Sequence, residues 1–167
     1  INTDDSTALS FKNDYTVTIN GTVQNNATGE GDGGYQGTGK NTIEAVSNTT
    51  IQVGPAGQIL ATGDQEGAEA VNLMGYSNQI INNGTIWADT NAAIQFEDST
   101  QGNGSYAQRN IVTNNGTIGR NDTNRAAIGT SGGNGIILEN NGTIQGGISL
   151  AGGNDSLVFN AGSTVIG

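Results

Sequence analysis

Asn82-Asn83-Gly84-Thr85-Ile86 recurs as Asn114-Asn115-Gly116-Thr117-Ile118 and again as Asn140-Asn141-Gly142-Thr143-Ile144. Aligned on their glycine, these three reveal weaker copies at Ile19-Asn20-Gly21-Thr22-Val23, Pro55-Ala56-Gly57-Gln58-Ile59 and Asn160-Ala161-Gly162-Ser163-Thr164. The six glycines stand 36, 27, 32, 26 and 20 residues apart. Self-similarity at such spacings is the mark of a repeat architecture. Four residues before the glycine every copy is aliphatic: Val17, Val53, Ile80, Val112, Leu138 and Val158. Two residues after it stand Val23, Ile59, Ile86, Ile118 and Ile144, with Thr164 beside Val165 in the last copy. The residue between is polar throughout: Thr22, Gln58, Thr85, Thr117, Thr143 and Ser163. Apolar and polar positions thus alternate with the period of two of a half-buried strand.

Asn and Gly tolerate positive φ, so Asn-Gly marks a bend. A hairpin explains one such bend. A corner between consecutive strands of a coil explains why the same bend returns with the same apolar flanks. A second apolar patch accompanies the repeats: Ala8–Phe11, Ile43–Val46, Ala70–Leu73, Ala92–Phe96, Ala126–Ile128 and Gly147–Leu150. Each repeat therefore holds about three short strands. The expected fold is all-β, a parallel β-solenoid of about six turns with loop insertions, residues 1–167 forming a single domain. Turns about 4.8 Å apart make it a rod roughly 29 Å long.

The composition of the 167 residues agrees. Hydrophobic residues are 33% and aromatics 5%, with 28 Gly and one Pro, against roughly 45–50% apolar (Gly included) for ordinary domains. A narrow interior of stacked Val, Ile, Leu, Ala and Thr needs no more, and helices are disfavoured by the Gly, Asn and Thr content. A formal charge of -10, from 5 basic and 15 acidic residues, leaves no basic patch for nucleic acid or for anionic membrane surfaces. No apolar run reaches the roughly 20 residues of a membrane-spanning helix. With neither Cys nor His, thiol and imidazole chemistry and most transition-metal sites are excluded.

What chemistry remains is sparse. Asp4/Asp5, Glu66/Glu69 and Glu97/Asp98 are carboxylate pairs of the kind used in acid–base catalysis. All fall in polar segments expected to be exposed, where a raised pKa is not expected. Arg109, Arg120 and Arg125 are expected in loops. Gly152-Gly153-Asn154-Asp155-Ser156-Leu157 partly matches the Gly-Gly-x-Gly-x-Asp calcium repeat, but one imperfect copy reads as a tight turn. The sequons at Asn20, Asn83, Asn115 and Asn141 follow from the corner itself. The Thr22/Thr85/Thr117/Thr143 column is too narrow and too interrupted for an ice-binding ladder and reads as outward Thr with good β propensity. Trp87, after the inward Ile86, is expected to face outward. Two insertions, from about Gln24 to Lys40 and from about Asp98 to Arg109, place Gly-rich loops on the rod, and Tyr35, Tyr106 and Asp32 in them are the candidate ligand-binding residues. No catalytic residue, metal or cofactor is assigned.

Ile80-Ile81-Asn82-Asn83-Gly84-Thr85-Ile86, and Leu150 to Leu157 running on through Gly162-Ser163-Thr164-Val165, resemble the passenger region of bacterial autotransporters. The resemblance covers nearly the whole chain. It implies a right-handed parallel β-helix, part of a longer passenger, displayed outside a Gram-negative cell on its outer membrane. It further implies a non-enzymatic role in adhesion or weak self-association, with a second copy of the chain or a host-surface ligand such as a glycan as partner. A passive stalk, a polysaccharide lyase or tailspike, and an ice-binding solenoid are the rival readings.

Overall fold

The computed structural model describes residues 1–4, 6–28, 40–65, 67–97, 109–133 and 135–167. Numbered in chain order, nineteen strands among these residues form three parallel sheets. The first holds β1 (Asn2–Thr3), β4 (Thr22–Asn25), β7 (Gln58–Ala61), β10 (Thr85–Ala88), β13 (Thr117–Arg120), β16 (Thr143–Gln145) and β19 (Thr164–Ile166). The second holds β2 (Leu9–Ser10), β5 (Ile43–Ala45), β8 (Val71–Leu73), β11 (Ile94–Phe96), β14 (Ala126–Thr130) and β17 (Gly147–Ser149). The third holds β3 (Thr16–Ile19), β6 (Thr50–Val53), β9 (Gln79–Asn82), β12 (Asn110–Asn114), β15 (Ile136–Asn140) and β18 (Ser156–Phe159). Every third strand pairs, so the chain coils through the three sheets in turn and returns one rung higher. This is the parallel β-solenoid expected, and the second apolar patch of each repeat is its second sheet.

The registers show which residues fill it. In the first sheet Val23, Ile59, Ile86, Ile118, Ile144 and Val165 face each other rung by rung. The second sheet contributes Leu9, Ile43, Val71, Ile94, Ile128 and Ile148. Val17, Ile51, Ile80, Val112, Leu138 and Leu157 come from the third. In the middle turns these side chains are wholly buried. Each stabilises the fold by roughly 1.5–3 kcal/mol relative to exposure. Three aliphatic columns facing one another leave little room for large aromatics, and among the described residues Phe96 is the one aromatic in the buried core.

Two corners differ from the simple repeat. Gly54-Pro55-Ala56-Gly57 and Asn160-Ala161-Gly162-Ser163 are each closed by a β-turn, with Gly57 N–H donating to Gly54 O at 2.8 Å and Ser163 N–H to Asn160 O at 3.0 Å. These corners are longer than Asn-Gly, so alignment on the glycine misplaces their strands. Ile51 rather than Val53 continues the Val17–Ile80 column. Leu157, Thr164 and Val165, rather than Val158, Ser163 and Thr164, continue the last rung.

The glycines of the tight corners are also required for a different reason than expected. Gly84, Gly116 and Gly142 are not in the left-handed region, where the described glycines are Gly67, Gly146, Gly153 and Gly162. A Cβ on Gly116 would instead overlap the carbonyl oxygen of Gly84, and one on Gly142 that of Gly116. Those carbonyls accept from the Thr117 and Thr143 N–H groups at 2.8 and 2.9 Å. The missing side chain thus lets the backbone ladder run unbroken around the corner.

Candidate functional site

The doublet Asn-Asn splits into two columns of opposite burial. Asn82, Asn114 and Asn140 point inward in β9, β12 and β15 and are fully buried, where Ile19 and Val53 stand in earlier turns. Asn82 Nδ2 donates to Asn114 Oδ1 at 2.8 Å and Asn114 Nδ2 to Asn140 Oδ1 at 2.8 Å. The same oxygens accept from the backbone two residues on, at Gly84 (3.1 Å), Gly116 (3.3 Å) and Gly142 (3.3 Å). The outer column runs on the surface, Asn141 Nδ2 to Asn115 Oδ1 and Asn115 Nδ2 to Asn83 Oδ1, both 2.9 Å. The sequence shows the doublet but not the inner ladder; its signal is an Asn that recurs at an inward-facing position in three successive turns, tolerable only if amides bond to one another.

A third amide column precedes the third sheet. Asn78 Oδ1 accepts from Thr49 N–H (3.0 Å), Asn110 Oδ1 from Asn78 N–H (2.9 Å) and Asp155 Oδ1 from Ile136 N–H (2.8 Å). Asp155 is therefore a rung of the scaffold, in a turn opened by Gly153 at φ +109°. Among the described residues no group of three or more acidic side chains is arranged to hold a metal ion.

Two expectations about charge are overturned. Glu69 is not exposed: it retains 7% of its surface, and burial first, then the charges of Glu97 and Glu44, raise its carboxyl to about 8. Asn91 Nδ2 donates to its Oε1 at 2.6 Å, and Asn72 Nδ2 lies 3.5 Å from its Oε2 and 3.1 Å from Glu97 Oε1. Arg120 is not in a loop. It ends β13 at the inward position of the Asn25–Ala61–Ala88 column, 3% exposed. Its Nη1 and Nη2 donate to Ala126 O (3.1 Å) and Thr90 O (2.6 Å), Nε has no partner among the described residues, and burial pulls its pKa down. Trp87 does face outward, its Nε1 donating to Asp89 Oδ1 at 3.0 Å, and its ring occupies the space a Cβ on Gly119 would need.

Tyr35, Tyr106 and Asp32 lie outside the described residues, as do Asp5, Glu66 and Asp98 of the carboxylate pairs. The sheets offer a different candidate. An open groove of about 590 Å³ lies on the outer face of the third sheet. Thr50, Gln79, Ile111 and Ile137, consecutive rungs of one outward column, line it, with Ser77, Asn78 and Arg109 from the preceding corner. The alternation that puts Ile80, Val112 and Leu138 inside puts Ile111 and Ile137 outside, and their apolar side chains make an apolar stretch in an otherwise polar column. Arg109 stands one rung above Ser77 at that corner, and among the described residues its guanidinium has no hydrogen bond or ion-pair partner. The groove thus presents, among the described residues, a cation, two hydroxyls and the Gln79 amide with no side-chain partner, and a short apolar stretch on a paired sheet. Ligand clefts in general combine a concave apolar stretch with a few convergent polar groups, which makes this groove the candidate site among the described residues. No family model matches the chain, and neither a curated protein nor a solved structure matches it.

Proposed function

We propose that the chain is a non-enzymatic adhesive module, a segment of a surface-displayed rod that holds a ligand or a second rod along its lateral face. Such display is the setting in which autotransporter passengers, which the repeats resemble, operate. The observation that carries this reading is the groove on the third sheet with Arg109 at its edge, its guanidinium without a hydrogen-bond or ion-pair partner among the described residues. Nearly all the polar side chains buried in the scaffold are consumed by its own ladders, whereas among the described residues the Arg109 guanidinium and the hydroxyls beside it in the groove have no hydrogen-bond or ion-pair partner. Catalysis is disfavoured by the same bookkeeping. Glu69, the carboxyl held neutral near pH 7 and so suited to act as an acid, is covered by Asn72 and Asn91 rather than open to a substrate.

Beads coated with the purified protein test the reading. We expect them to aggregate with one another or to adhere to epithelial cells above the level of uncoated beads. Soluble protein should leave acidic and neutral polysaccharides uncut. Release of reducing or unsaturated ends from any of them, or coated beads behaving as bare ones, overturns it.

A further inference from the structure

We propose that the third-sheet groove binds a glycan carrying a single carboxylate, with Arg109 holding the acid and successive rungs of the sheet holding successive sugars. The inference rests on the lateral-binding reading and adds the chemical class of the ligand.

Charge decides the first half. A guanidinium matches a carboxylate in a two-pronged geometry, and Arg109 has no acidic partner among the described residues to compete for it. It is one cation on a chain of net charge -10. A polyanion would gain one pairing and meet repulsion along the rest of its length, so one acid among neutral sugars suits the field better. Glu139 on the neighbouring outward column is tied to Asn160 at 3.0 Å and reinforces that discrimination.

Geometry decides the second half. Thr50, Gln79, Ile111 and Ile137 stand on successive strands, so they repeat along the rod axis at about 4.8 Å. A pyranose ring of an extended glycan advances by a comparable step. Laid along the axis, it sets its hydroxyls against the Thr50 and Ser77 hydroxyls and the Gln79 amide, none of which has a side-chain hydrogen bond among the described residues. The apolar faces of the next rings meet Ile111 and Ile137. An acidic peptide fits less well. It gains affinity by joining a free sheet edge, and β6, β9, β12 and β15, which form the groove floor, are each paired on both sides.

The test is a titration of the ¹⁵N-labelled 167-residue protein with 3′-sialyllactose, lactose, polygalacturonate and an acetyl-Gly-Glu-Gly-amide peptide. The proposal expects saturable shifts at Gln79, Ile111 and Ile137 with sialyllactose, and at least tenfold weaker binding of lactose, polygalacturonate and peptide. Arg109→Ala should weaken sialyllactose about tenfold, Arg109→Lys less, and both should unfold within a few degrees of the wild-type temperature, since the Arg109 side chain makes no hydrogen bond or ion pair among the described residues. The inference is overturned if lactose or the peptide binds as well as sialyllactose, if Arg109→Ala binds unchanged, or if shifts map away from the third sheet. Should coated beads still adhere in any of those cases, adhesion stands and only the ligand class fails. Should the beads also be inert, the lateral-binding reading fails with it.

Discussion

At the scale of single residues, the corner is an arrangement in which no atom is spare. Asn114 accepts from Asn82 and from Gly116 N–H and donates to Asn140 and to Thr143 O. Asn114→Ala removes four hydrogen bonds at once; Asn82 Nδ2 keeps Thr117 O and Asn140 Oδ1 keeps the Gly142 N–H, while the Gly116 N–H and Thr143 O lose their side-chain partner at about 1–3 kcal/mol each, partly offset by rearrangement. We expect a loss of about 2–4 kcal/mol in urea unfolding, against about 0.5 kcal/mol or less for Asn115→Ala one residue along on the surface. Glu69 makes a second prediction. Its folded pKa, raised to about 8 from 4.5, means the folded state holds a proton that the unfolded chain releases. The corresponding stability is fully present below about pH 4.5, declines as pH rises, and is gone above about pH 8. Glu69→Gln keeps the shape without the proton, so its stability should be flatter than wild type across that window. Equal pH slopes for the two proteins would contradict the assignment.

At the scale of the strand, most of the fold was legible because the alternation and the corner repeat together. Ile86, Ile118 and Ile144 were expected in one inward column, and they are. Ile118→Ala opens a cavity between two neighbours that cannot close in, for about 2–5 kcal/mol. Ile118→Asp buries an unpaired charge and should leave the chain unfolded or molten by near-UV circular dichroism. Leu157→Ala, in a strand with no further rung above it among the described residues, should cost markedly less. What was not legible followed from length and burial rather than from pattern. Two corners are longer than the rest, so a gapless alignment misassigned Val53 and Val158. Glu69 and Arg120 sit in segments that read as polar, and only the coil's curvature, by folding Asn91 and Thr90 over them, removes them from water. The groove was hidden for a related reason. Ile111 and Ile137 break the polar-outward rule, and periodicity alone does not mark two outward isoleucines as the wall of a groove. Tyr35, Tyr106 and Asp32 were chosen because loops commonly carry function, yet the unspent chemistry that can be described lies on a strand face.

At the scale of the molecule, the rod is an acidic surface over an amide-stitched coil. Like-charged rods repel at long range and are screened within a Debye length of about 8 Å at physiological salt. The proposed self-association would then rest on hydrogen bonds along polar columns such as Asn83–Asn115–Asn141, individually weak and additive where many copies are held together. Sedimentation velocity should show weak association that strengthens as salt rises from a few millimolar to about 0.15 M. A steady decline over that range would indicate complementary charge patches instead.

All of this depends on one in-register coil in solution. The chain has no cysteine, so pairs introduced at the exposed corner column give clean distances. With nitroxides on Thr22→Cys and Thr143→Cys, four rungs apart, double electron–electron resonance should centre near about 19 Å; with Thr22→Cys and Thr164→Cys, five rungs apart, near about 24 Å. That stepwise gain of one rung per turn is the predicted result. Broad distributions centred far beyond these distances, or two pairs that do not differ by a rung, would contradict the coil and every site placed on it.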